Sequence, residues 1–133
     1  FDQKTNINLE LEYLIDYENE GNETEIFNAV EDMSRKLEEE LENNELTEYD
    51  TEQIQIEIYQ LWDDELNYLW KYLKETVDEQ TMQKLLLEQR EWIEKKEQTI
   101  QTLQNNDGES LTYPYQAEIT RKRVYELTEY IQE

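Results

Sequence analysis

The sequence predicts an all-α protein, an antiparallel helical bundle of about four helices near residues 24–43, 48–76, 79–105 and 115–131. Three observations carry that expectation. Apolar residues recur at three- and four-residue steps along most of the chain, the period of a single helix face. Gly and Pro, which interrupt such a pattern, occur only at Gly21, Gly108 and Pro114. The stretches between successive stripes are short, so each helix has to fold back on the one before it.

The first helix is marked by Ile26, Val30, Met33, Leu37 and Leu41 and runs out near Asn43 and Asn44. Thr24 is the expected cap, although a glutamate follows it by one residue rather than by three. The second helix opens at Thr47, with Glu48 and Asp50 in the first turn, where the helix dipole favours acids. Its stripe is Ile54, Ile58, Trp62, Leu66, Leu69 and Leu73. The pattern shifts near Val77 and Asp78, and a third helix follows with Met82, Leu86, Gln89, Ile93, Lys96, Ile100 and Leu103 on one stripe, two of them polar. NNDGES at 105–110 reads as a turn and YPY at 113–115 as extended chain before helix resumes. Ala117, Thr120, Val124, Leu127 and Ile131 then form the last stripe. Residues 1–22 read as a tether or as a short accessory helix on Leu11, Leu14 and Ile15 with Gly21 past its end, leaving 23–133 as the helical domain.

A chain of 133 residues can bury one core, and its three Trp and ten Tyr argue that it does. Only 36% of residues are hydrophobic and 35% are charged, a balance that leans toward long polar helices or partial disorder. The formal charge of −23 is unevenly placed: residues 1–70 hold 22 Asp and Glu against 3 Lys and Arg, and the rest 13 against 9. Such a field repels nucleic-acid phosphates and anionic lipid and attracts cationic proteins, more weakly as salt rises. There is no cysteine, hence no disulfide or thiolate ligand, and no histidine, the commonest general base and a frequent metal ligand. No run approaches the roughly 20 apolar residues of a membrane span. The start at Phe1, without an initiator Met, points to a processed or trimmed product.

The middle of the chain is more specific. WDDELNYLWKYL at 62–73, LLLEQREWIEKK at 85–96, GES at 108–110 and TRKRVYEL at 120–127 together resemble the LprI-like lysozyme inhibitor family of secreted proteins and lipoproteins. The matching positions are Asp63, Leu66 and Asn67; Gln89, Trp92 and Ile93; Lys96; Gly108 and Ser110; and Thr120, Arg123 and Leu127, covering roughly residues 47–131. Where many family members carry cysteines, Ile54, Ile100 and Tyr115 stand here, the family's usual Arg is Lys96, and the second glycine of its turn is Glu109. The cysteine-free form resembles that of Gram-positive bacteria, which implies a cell-surface lipoprotein tethered through residues 1–22.

Asp63 and Asn67 lie four apart on one helix, Gln89 and Trp92 three apart on the next, and Arg123 on the last. The expected arrangement is a polar seam in which these groups satisfy one another where three helices meet; the functional alternative is a pocket built from the same groups. Catalysis is disfavoured. Asp63 and Asp64 point to different sides, and the glutamates of 38–40 read as a solvated face. There is no phosphate loop, and NNDGE at 105–109 is too short for a calcium loop, so no cofactor or metal is expected.

The resemblance implies a lysozyme inhibitor, whose partner is a cationic protein. Glu38, Glu39, Glu40, Glu42, Glu45 and Tyr49 form the candidate docking surface, Tyr49 being the aromatic anchor. The main alternative is a cell-surface module with another protein partner and an assembly role. A weaker one is a mimic of nucleic acid. Membrane association is expected only through a lipid anchor, and the oligomeric state stays open.

Overall fold

The computed structural model describes residues 22–107 and 112–132. They form helices only: α1 (Glu23–Glu40), α2 (Glu48–Thr76), α3 (Glu79–Asp107) and α4 (Thr112–Thr128). The all-α bundle expected from the sequence is the architecture found. α2 and α4 make the most extensive contact, α1 packs on α2, and α3 packs on α4.

Local chemistry sets the ends. α1 is capped by Asn22 rather than the expected Thr24: its extended backbone (φ −125, ψ 160) lets its side-chain oxygen accept from the Glu25 backbone N–H at 2.8 Å. Thr47 caps α2 as expected, in a reciprocal box where its hydroxyl accepts from the Asp50 N–H at 3.0 Å and the Asp50 carboxylate accepts from the Thr47 N–H at 3.5 Å. Asp78 starts α3, accepting from the Thr81 N–H at 2.7 Å. These contacts hold its carboxyl below its ordinary range. The YPY segment is helical, not extended: Pro114 lies in the first turn of α4, where a backbone N–H has no intrahelical acceptor to lose.

The core lies between α1, α2 and α4. Every residue of the predicted α2 stripe, Ile54, Ile58, Trp62, Leu66, Leu69 and Leu73, is buried, together with Leu61. α1 contributes Ile26, Val30 and Leu37, and α4 contributes Ala117, Val124 and Leu127. Full burial of each of the larger side chains contributes roughly 1.5–3 kcal/mol. Phe27, Trp62 and Tyr125 meet edge to face, with centroids 5.5–6.3 Å apart, and so pin one helix each of the three together.

The third stripe departs from expectation. Leu86 and Ile93 are exposed at 38% and 39%, whereas Leu85 is fully buried and Met82 and Trp92 pack on the core edge. Leu85, Leu86 and Leu87 stand in succession, so helical spacing alone fits more than one face; contact with α4 selects the one carrying Leu85 and Trp92.

Candidate functional site

The structure brings part of the expected polar seam together. Arg123, on α4, is only 5% exposed. Its Nε donates to Gln89 Oε1 at 2.7 Å and its Nη1 to Glu126 Oε1 at 2.9 Å, with Glu88 Oε1 at 3.6 Å. Its Nη2 is buried with no hydrogen-bond partner among the described residues. Lys96 lies over the half-buried Trp92 ring at 5.0 Å. Thr120 and Leu66 are buried. Asp63 and Asn67 are not part of this cluster: Asp63 is half-buried and Asn67 exposed on α2, and no hydrogen bond of Arg123 reaches them. The seam is therefore an α3–α4 clip and not a three-helix junction. Gly108 and Ser110 lie outside the described residues.

A second polar cluster joins α1 to α4. Arg121 Nη1 pairs with Glu38 Oε1 at 2.9 Å, its Nε donates to the Tyr125 hydroxyl at 3.0 Å, and that hydroxyl donates to Glu31 Oε2 at 2.5 Å. The Arg121 guanidinium also stacks over Trp62 at 5.7 Å and Tyr125 at 5.5 Å. Burial first, and the bond to the Glu31 carboxylate second, push the Tyr125 phenol above its ordinary range. Sequence reasoning missed Arg121 and Tyr125; TRKRVYEL gives the signal only when Arg121 is read one helical turn before Tyr125. It also made no reading of Glu57 and Glu65, which are buried on α2.

The candidate docking surface is divided. Glu38 is half-buried against Arg121, and Glu39 lies 3.6 Å from Arg35 in an exposed pair. Glu40, Glu42 and Glu45 are exposed, and Tyr49 is 67% exposed at the start of α2. Glu42, Glu45 and Tyr49 thus flank the α1–α2 turn as one acidic edge with an aromatic on it.

Among the described residues no group of three or more acids or other ligands is arranged to hold a metal, and no helix is long and apolar enough to cross a membrane. Three concave places are lined by the clusters above. One of about 160 Å³ is bordered by Glu38, Ile58, Trp62, Pro114 and Arg121, one of about 190 Å³ lies between α3 and α4 around Trp92 and Arg123, and an adjoining depression of about 480 Å³ shares Trp92 and Arg123 and is bordered by Glu88, Glu91 and Glu129.

A family model described as "Lysozyme inhibitor LprI" matches residues 40–127, which take in α2, α3 and nearly all of α4. No curated protein and no solved structure matches the chain.

Proposed function

From the premise that this chain belongs to the lysozyme inhibitor LprI family, we propose that it is an extracellular binding protein that inhibits a lysozyme-type cell-wall hydrolase. The match over residues 40–127 carries this reading. The charge gives it a mechanism. A net charge of −23 draws in a cationic enzyme over distances of about a Debye length, roughly 10 Å at 0.1 M salt, and raises the encounter rate. The contact then forms through the edge carrying Glu39, Glu42, Glu45 and Tyr49, where exposed acids, of which Glu39 also pairs with Arg35, accompany an exposed aromatic. Covering the cleft excludes the polysaccharide; no chemistry by the inhibitor is required. Attachment to the cell surface would come through a lipid anchor.

The test is a lysis-protection titration with purified lysozyme and cell-wall substrate at low and high salt. The comparison is wild type against the triple variant Glu39→Lys, Glu42→Lys, Glu45→Lys; Glu38 is kept because its pairing with Arg121 ties α1 to α4. Wild type should protect at low salt and lose protection as salt rises, and the variant should protect at least about tenfold less, a loss of roughly 1.4 kcal/mol. Wild type that fails to protect at low salt removes the inhibitor reading. A variant as active as wild type moves the contact elsewhere.

A further inference from the structure

Against the acidity of the whole chain, one concave place is cationic. α3 contributes Trp92, Lys95 and Lys96, and α4 contributes Tyr115, Lys122 and Arg123, to a cleft of about 190 Å³. Glu126 is the carboxylate among its described lining residues, so four cations face one acid in a protein of net charge −23.

Internal pairing leaves much of that positive charge in place. Lys95 makes no ion pair among the described residues, Lys96 rests on the Trp92 ring, and Lys122 reaches Glu118 at 3.8 Å with both side chains more than half exposed. Arg123 is the buried member: two of its nitrogens are held by Gln89 and Glu126, with Glu88 at 3.6 Å, and the third, Nη2, has no hydrogen-bond partner among the described residues. A buried N–H without an acceptor is a standing cost that an anion entering the cleft would relieve. Guanidinium donors suit a carboxylate. Glu88, Glu91 and Glu129 border the adjoining depression, which shares Trp92, Lys95, Arg123 and Glu126 with the cleft, and this acidic margin disfavours ligands of higher negative charge. Tyr115 and Ile119 add an apolar wall, and the lysines are donors for ring hydroxyls.

We propose that the α3–α4 cleft binds a small monoanionic carboxylated sugar, its carboxylate directed to Arg123 and Lys122 and its ring against Tyr115 and Ile119. This is a ligand site separate from the acidic docking edge and does not depend on hydrolase inhibition.

The full chain, labelled with 15N, is titrated with N-acetylmuramic acid and, in parallel, with its neutral counterpart N-acetylglucosamine. The three tryptophans give three indole reporters: Trp92 at the cleft, Trp62 in the core and Trp70 on α2. The acid sugar should shift the Trp92 signal saturably with a dissociation constant in about the millimolar range, and the neutral sugar should not. The double variant Lys95→Glu, Lys122→Glu makes the described lining net negative and should weaken binding by about tenfold or more. Both positions are exposed, and an unchanged Trp62 signal establishes that the variant is folded. No saturable shift up to about 10 mM, an equal response to the neutral sugar, or full binding by the folded double variant each overturns the proposal. Because no hydrolase is present, the outcome is independent of the lysis-protection result.

Discussion

Trp62 has no exposed surface, and its indole N–H donates to Ser34 Oγ at 2.9 Å across the α1–α2 interface. Ser34 is buried too, so removing the hydroxyl strands a donor where water does not reach. Ser34→Ala should cost about 1–3 kcal/mol, read as a lower urea midpoint with an unchanged slope; an unshifted midpoint would show that the bond contributes nothing. Asp64 makes the opposite case. Desolvation first, then its neighbour Asp63, raise its carboxyl above the ordinary 3.8. The folded state holds that proton more tightly than the unfolded chain, so the stabilisation from protonation is complete below 3.8 and is lost as pH rises through the higher folded value. At neutral pH the charge is a liability, and Asp64→Asn should raise stability by roughly a few tenths of a kcal/mol, since the group is partly solvated. The gain should vanish in melts below pH 3.8, where wild type is protonated as well; a loss of stability at neutral pH contradicts the account.

At the level of helices, the stripes of α1, α2 and α4 were legible because each offers one continuous apolar face. α2 spaces Ile54, Ile58, Trp62, Leu66, Leu69 and Leu73 at three- and four-residue steps, so a single rotation buries all six. α3 does not constrain its own rotation. Its leucine run offers neighbouring faces, and the heptad through Leu86 and Ile93 fits the spacing as well as the one through Leu85 and Trp92. Only the approach of α4, with Arg123 clamped on Gln89, chooses between them. The clip itself was half legible: Gln89 stood out as a polar position on an apolar stripe and Arg123 as a polar position beside one, whereas Asp63 and Asn67, also beside a stripe, face partly or wholly outward. A contrast between adjacent leucines tests the rotation. Leu85→Ala, at a fully buried position, should cost about 2–5 kcal/mol, while Leu87→Ala, at 62% exposure, should change stability by no more than about 0.5 kcal/mol. Equal effects would mean that α3 is turned differently in solution.

For the molecule as a whole, folding and binding should respond to salt in opposite directions. A formal charge of −23 confined to a compact body repels itself, and the unfolded chain, being larger, does so less. Among the described residues, four of the seven ion pairs join exposed side chains, such as Arg35 with Asp32 and Lys84 with Glu88, so screening those gives up little stability. Raising sodium chloride from 10 mM to 1 M shortens the Debye length from about 30 Å to about 3 Å, which removes most of the repulsion. The melting temperature should therefore rise steadily with salt in calorimetry. The same screening removes the long-range pull on a cationic enzyme, so the association rate measured by stopped flow should fall over that range, with a much smaller change in dissociation. Reversing Glu39, Glu42 and Glu45 to lysine makes the net charge less negative and should raise the melting temperature at low salt while slowing association. A melting temperature that falls with added salt would mean that ion pairs outweigh self-repulsion. An association rate indifferent to salt would mean that the acidity of the surface plays no part in finding the partner.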